Sequence, residues 1–353
     1  MSVTAALAPR AQVLINHKPF QLMHWLESIT VSETLDAISM FTLKFAELSL
    51  TTAHQVWLSP ENFLTFDIGT QVQIQMGFGN ALEPLIIGEI TALEPDFTDQ
   101  TANLTVRGHD LRHRLSRGSK NRVFSNKTDS DIAQAIALEH NLMTKIEPTK
   151  TQLDYIRQTW QTDLAFLQAR ANQIGYEMGM DLQTFYFRPR QFKKSKQFTL
   201  DLVRDHLTLS LRISTMNQVG AVEVRGWNAT QNEPFLGRAS AGSEGSTMGG
   251  TLTGTQQSVQ KFGSTTQVLP DQEVSSQEEA DQAAQNYLNQ ISLDYLSVDG
   301  SCSGYPKMRP GTVIELTGIG SRFNGLYYVN RADHTLSQSA GYTTSFSLKR
   351  NAV

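Results

Sequence analysis

The sequence predicts a β-rich α+β fold: two similar small antiparallel β-barrels with an α+β domain inserted between them. Three observations carry this. Period-two alternation dominates both ends of the chain, helical periodicity interrupts it in the middle, and one segment near the start is nearly repeated near the end.

In the first part Val72, Ile74 and Met76 alternate with Gln71, Gln73 and Gln75, and Leu104 and Val106 with Asn103, Thr105 and Arg107. Alternation of this kind marks half-buried antiparallel strands. The middle changes period. Thr128 with Asp131 has capping-box spacing, Ile132, Ala135 and Ile136 follow at helical intervals, and Asn141 is a stop. A second helix puts Leu164, Leu167, Ala171 and Ile174 on one face and ends at Gly175. Short strands around Tyr176–Met178 and Phe185–Phe187 complete a small α+β domain. Strands return at Leu207–Ile213 and Ala221–Trp227. The stretch 237–267 is rich in Gly, Ser, Thr and Gln with few apolar residues, which predicts a flexible loop or linker. Ser275 with Glu278 then has capping-box spacing, and Ala280, Ala283, Ala284, Tyr287, Leu288 and Ile291 share a helical face. At the end Tyr342, Thr344, Phe346 and Leu348 alternate with Thr343, Ser345, Ser347 and Lys349.

The repeat sets the domain layout. Gly69-Thr70 opens a strand that closes on Gly77-Phe78-Gly79; Gly311-Thr312 opens one that closes on Gly318-Ile319-Gly320. Each is followed by an apolar strand, a polar turn and a strand ending in basic residues. Turn chemistry alone also favours glycine at such corners. Read as a duplicated barrel, the pattern gives an N-terminal tail (1–10), a first barrel (11–110), an inserted α+β domain (111–204) and a second barrel (205–353) that includes the 237–267 loop and a 276–292 helix. Closed cyclic symmetry is common among assemblies. Three copies of a two-barrel subunit would form a ring of six similar barrels.

Composition narrows the function classes. The chain has 353 residues, 39% of them hydrophobic, and a formal net charge of −4. Neither value points to nucleic acid, whose binding usually shows as a basic excess. A single cysteine, Cys302, excludes an intrachain disulfide framework and a Cys-rich zinc site. No stretch is long and apolar enough for a membrane-spanning helix, and the N-terminus lacks the basic start and apolar run of a signal peptide.

Five segments carry a family resemblance. Val106-Arg107-Gly108-His109-Asp110-Leu111, followed by Ser125 to Leu142, resembles the late control D proteins of contractile-tailed phages, in which a Gly-x-Asp corner leads to a short helix. Gln158, Thr162, Asp163, Phe166 and Leu167 match the next segment of that family, and Val222-Glu223-Val224-Arg225-Gly226-Trp227-Asn228 its "V-x-V-x-G-W-D/N". The runs from Gly304-Tyr305-Pro306 through Arg309-Pro310-Gly311, Gly325 to Val329, His334 and Gly341 to Thr344 are similar to its last domain. The resemblance implies a tail-tube-like barrel fold and a baseplate hub. Such a hub is a homotrimer joining a hexameric tail tube protein to a separate central spike protein, beside other baseplate (wedge) proteins, in a virion tail. The hub part of VgrG-type spike proteins and of extracellular injection systems is similar, so an injection-system particle is the alternative.

Chemistry is sparse. His109-Asp110-Leu111-Arg112-His113 approaches the zincin His-Glu-x-x-His pattern. Asp in place of Glu shortens the reach, no third ligand is evident, and Arg107, Arg112, Arg114 and Arg117 would repel a cation. Gly77-Phe78-Gly79 and Gly318-Ile319-Gly320 close strands rather than open helices, so they read as hairpin glycines, not phosphate loops. Cys302 reads as packing. A paired-carboxylate site depends on spacing in space and is not defined by sequence. The expectation is therefore a protein that is not an enzyme, with no catalytic, cofactor-binding or metal-ligating residues and no cofactor; a cell-wall hydrolase and a carbohydrate-binding module are the rivals. Two basic runs, 107–122 and 188–196, read as solvated loops, or else as contacts to an acidic neighbour or a channel wall. Trp25, Trp57, Trp160 and Trp227 read as core or interface anchors.

Overall fold

The computed structural model describes residues 8–56, 66–228, 232–269, 274 and 276–353. The first β unit comprises β1 (Pro9–Ile15), β2 (Lys18–Pro19), β3 (Leu26–Thr34), β4 (Met40–Phe45), β5 (Leu48–Ser49), α1 (Leu50–Val56), β6 (Gln71–Phe78), β7 (Ala81–Phe97) and β8 (Thr101–Asp110). An α+β unit follows, with β9 (Lys120–Thr128), α2 (Asp129–Glu139), β10 (Met143–Ile146), β11 (Gln152–Gln161), α3 (Asp163–Ile174), β12 (Tyr176–Asp181) and β13 (Thr184–Pro189). The second β unit starts with β14 (Thr199–Asp201) and β15 (Thr208–Ile213). It is interrupted by β16 (Ala221–Asn228), β17 (Glu233–Ser240), α4 (Gly254–Phe262), β18 (Thr266–Leu269) and α5 (Gln277–Ser292). It resumes with β19 (Leu296–Ser303), β20 (Val313–Thr317), β21 (Gly325–Ser337) and β22 (Gly341–Arg350).

The two β units are the pair of barrels the sequence predicts. Leaving aside the two-residue strands β2 and β5, the first runs β1-β6-β7-β8-β4-β3 and the second β14-β20-β21-β22-β19-β15, the same spatial order of six strands. One difference separates them: β1 lies antiparallel to β6, whereas β14 lies parallel to β20. Alternation fills the cores. Val72, Ile74, Met76, Leu104 and Val106 are buried in the first with Phe41, Phe45 and Phe66. Leu316, Tyr327, Val329, Phe346 and Leu348 are buried in the second.

The units share one continuous ladder, because β21 pairs antiparallel with β3 from Arg331↔Thr34 to Ser337↔Ser28. This strand serves both cores. Val329 and Ala332 pack in the second, while Leu336 and, across the hairpin, Tyr342 pack in the first. The Tyr342 ring meets Phe78 at 5.7 Å. The end of the β21–β22 hairpin thus fills the seam that β1 and β3 leave open.

The inserted α+β unit forms as its periodicity requires. Thr128 and Asp131 make the reciprocal capping box, and Ile132, Ala133, Ile136 and Ala137 are the buried face; Ala135 is exposed. The second helix buries Phe166, Leu167 and Ala171 and ends on Gly175 at φ +72°, a left-handed turn that suits glycine.

The stretch 237–267 corrects the sequence reading. It is no linker: it holds the end of β17, the helix α4 with its own capping box at Thr253 and Gln256, and β18. Its backbone is tied down by polar side chains, with little apolar burial beside them. Gly245 N–H donates to Asn289 Oδ1 at 2.9 Å, and Gln285 Nε2 donates to Ser243 O at 2.9 Å, both from α5. Met248 is buried. These elements form a second small α+β unit, a β17-β16-β18 sheet covered by α5, set into the connection between β15 and β19. Ala280 of α5 lies so close to Gly237 that a Cβ there would sit 2.1 Å from its carbonyl carbon. The capping residue read as Ser275 lies outside the described residues; Ser276 accepts from Glu279 N–H at 3.2 Å. Among the described residues no helix is long and apolar enough to cross a membrane.

Candidate functional site

Among the described residues no constellation of reactive groups stands out; the most developed feature is the doubled barrel, and its equivalence reaches individual hydrogen bonds. In the first barrel Gly69 N–H donates to Ile90 O at 2.8 Å, and Ile90 N–H donates to Thr70 O at 3.0 Å. In the second, Gly311 N–H donates to Val329 O and Val329 N–H to Thr312 O, both at 2.9 Å. Gly69 and Gly311 sit at φ +86° and +80°, where a side chain would be strained. In each barrel the next strand then carries a bulge, at Thr91 between Ile90 and Ala92 and at Asn330 between Val329 and Arg331. A bulge bends and twists a strand. Before it, β7 and β21 pair with their hairpin partners β6 and β20; beyond it that edge leaves the barrel. The Gly-Thr repeat is therefore a repeat of corner, bulge and strand exit.

The zincin-like run is structural. Asp110, buried, accepts from Ser39 N–H at 2.9 Å and Arg112 N–H at 2.8 Å and pairs with the buried Arg112 guanidinium at 2.7 Å. His109 Nδ1 meets Thr91 Oγ1 at 2.8 Å, and His113 Nε2 meets Glu89 at 2.7 Å, so the two rings are held by different partners. Among the described residues no three His, Cys, Asp or Glu side chains cluster to hold a metal. The hairpin glycines take their turns, Gly79 at φ +58° and Gly318 and Gly320 near +80°. Cys302 is buried, and burial, then the Asp205 charge, pushes its thiol up to about 12. Alkylating reagents should label it only in denaturant; fast labelling of the folded chain, read by mass spectrometry, would contradict this burial.

The first basic run is largely neutralised within the chain and lies on strands and a short 3-10 helix, a correction to reading it as a solvated loop. Arg107 pairs with Glu94, Arg114 with Glu89, and Lys120 and Arg122 converge on Glu139 and the buried Asp163. Burial alone would push the Asp163 carboxyl up. Hydrogen bonds from Lys120, His140 and Gln158 outweigh it and hold that carboxyl below the usual carboxylate range. The second run remains an exposed loop in part: Arg188 pairs with Glu177, Arg190 with Asp36 at 3.7 Å and Lys196 with Glu315, while Lys193 and Lys194 are exposed. Of the tryptophans, Trp25 packs on the first core, Trp160 and Trp227 are 72% and 55% exposed, and Trp57 lies outside the described residues.

The sequence did not point to the cleft where the two barrels and the α+β unit meet. It has a volume of about 460 Å³ and is lined by Glu33, Ser39, Arg112, Tyr186, Arg188 and Arg309, among others. Arg309 binds Glu33 at 2.6 Å and the Leu85 carbonyl at 2.8 Å, joining the barrels. Glu177 accepts from Tyr328 and Arg188, joining the second barrel to the α+β unit. Burial raises the Glu33 and Glu177 carboxyls above their ordinary value against the pull of these partners. Both carboxyls are engaged in holding units together. Arg309 and Glu33 are 276 positions apart, a pairing that no local pattern reports.

Comparison with solved structures defines the class of fold. The chain is similar to the prophage MuSo2 43 kDa tail protein from Shewanella oneidensis, with 14% identity, a TM-score of 0.73, and 97% of this chain and 98% of that one covered. It is similar to the tail protein from Neisseria meningitidis MC58, with 13% identity, a TM-score of 0.70 and 97% of each chain covered. It is also similar to the E. coli c3393 protein, a component of the type VI secretion system with structural similarity to the T4 bacteriophage tail proteins gp27 and gp5. There the identity is 13%, the TM-score 0.60, and the coverage 98% of this chain and 77% of that one. The fold is thus that of phage tail proteins. The family described as Alg8 N-terminal domain matches residues 6–338, and the chain belongs to it. No curated protein matches the sequence.

Proposed function

We propose that this protein is the structural baseplate hub of a contractile tail, of the late control D kind: a homotrimer that joins a hexameric tail tube to a separate trimeric spike, with wedge proteins around it, and that it performs no catalysis. The observation that carries this reading is the duplicated barrel, equivalent in strand order and in the Gly-Thr corner bonds. A sixfold tube end offers six equal surfaces. A trimer meets all of them alike only if each subunit offers two similar ones. The two α+β units differ from each other in strand order and would face the threefold side or the periphery. The shared fold with tail proteins supports a tail or injection particle as the setting.

The test is the mass of the assembled hub and the symmetry of the particle at its level. A trimer is expected, with the two barrels related by about sixty degrees around the axis. A monomer in the finished particle would overturn the reading.

A further inference from the structure

We propose that the end of the β7–β8 hairpin of one copy adds as a strand to the open edge of β15 in a second copy, repeating between molecules the β21–β3 pairing found within each. The inference rests on the ring-forming reading above and specifies the contact that closes the ring.

The molecule supplies the template. Past its bulge, β21 pairs with β3 of the neighbouring barrel. The equivalent of β21 is β7, and the equivalent of β3 is β15, each fixed by its neighbours in the shared strand order. Past its own bulge β7 pairs with β8 on one side, and β6 has already ended its pairing at Glu89. Glu94, Pro95, Asp96 and Phe97 are exposed. Strand β15 pairs with β19 and, among the described residues, with nothing on its other edge. Each chain thus has one used and one unused copy of the same joint, and each unused half fits the other.

The equivalences also fix the register. Arg331 corresponds to Ala92, both first after the bulge. Val31 corresponds to Leu211, because Phe41 and Val298, their respective partners, face Gly108 and Leu348 at the same ladder position. Transferring Ala332↔Glu33 through Leu336↔Ile29 gives Leu93 opposite Ile213, Glu94 opposite Arg212, Pro95 opposite Leu211 and Phe97 opposite Leu209. Nothing in the transfer used side chains, yet it sets Glu94, which Arg107 of the same sheet already holds at 2.9 Å, against a second base, Arg212, and apolar residues against each other.

The backbone agrees. Thr98 N–H donates to Thr101 O, so alternation turns the groups of Leu93, Pro95 and Phe97 outward. Ser214 N–H donates to Tyr295 O, so Leu209, Leu211 and Ile213 also face outward. Pro95 has no N–H and removes one bond from this ladder. It is also the residue that discourages indiscriminate pairing at an exposed edge.

The test uses the purified full-length chain with Glu94→Cys and Arg212→Cys combined. These residues would form a non-hydrogen-bonded pair, with Cα atoms about 4.5 Å apart, within reach of a disulfide. Mild oxidation should give a covalent ladder on a non-reducing gel that ends at the mass of the closed ring. Each single variant, which carries the buried Cys302 as background, should give none, nor should Glu94→Cys with Thr208→Cys, four residues out of register. Glu94→Arg should reduce assembly and Arg212→Glu added to it should restore it, read by light scattering. A ring of correct mass without the Glu94–Arg212 link, or with the Thr208 link instead, would overturn this pairing and leave the hub reading standing. A chain that stays monomeric and unlinked would overturn both.

Discussion

Replacing Asp110 with alanine should lower the stability of the folded chain by about 3–5 kcal/mol, the range for breaking a buried ion pair. Asp110 and Arg112 are 1% and 3% exposed, and the carboxylate also satisfies the backbone N–H groups of Ser39 and Arg112. Removing it leaves a buried guanidinium without its bonded carboxylate, at the junction of the first barrel and the α+β unit, with the more distant Glu33 as the other acid acting on it. Denaturant unfolding would measure the loss. Replacing both partners with apolar residues of similar volume should be less damaging than removing one. A loss under about 1 kcal/mol for the single variant would show that the corner does not depend on the pair.

Tyr342→Ala should cost about 3–5 kcal/mol, as for other large buried aromatics. Its effect should also appear in the other barrel. Tyr342 is anchored on β22, but its ring lies in the first core against Phe78. Its hydroxyl lies 3.0 Å from Nδ1 of the buried His334, whose other ring nitrogen is 3.0 Å from the Met308 carbonyl. Burial, then the charge of Arg309, lowers the His334 pKa to about 3, so the ring stays neutral: Nε2–H donates to Met308 and Nδ1 accepts from Tyr342. Hydrogen exchange should quicken in β1 and β6 of the variant. Tyr342→Phe, which keeps the ring, should lose only about 1 kcal/mol. Unchanged protection in β1 and β6 would mean that the first barrel closes without the hairpin.

What the sequence showed and what it hid separate along physical lines. Strand alternation at Val72–Met76 and Tyr342–Leu348, the Thr128 cap and the Gly175 stop were legible because each depends on neighbours a few residues away. The Gly-Thr corners were legible because a positive φ restricts residue choice. The order in 237–267 was not, because its anchors are Asn289 and Gln285, side chains on α5 more than forty residues along the chain. Nor was the neutralisation of the first basic run: Arg122 meets Asp163 across 41 positions. Composition counts apolar residues and charges; it does not see which polar group reaches which.

The shared hairpin has a consequence for how the protein is made. A ribosome delivers the strands of the first barrel early, but β21 and β22, whose end fills its seam, emerge only after β20. Long-range closure of this kind is slow, because loop entropy is lost before the contact rewards it. The first barrel therefore remains incomplete until the β21–β22 hairpin has been made, and a chain truncated before it exposes the β3 edge. Synthesis of that hairpin acts as a checkpoint: only a chain that contains it has both barrels formed.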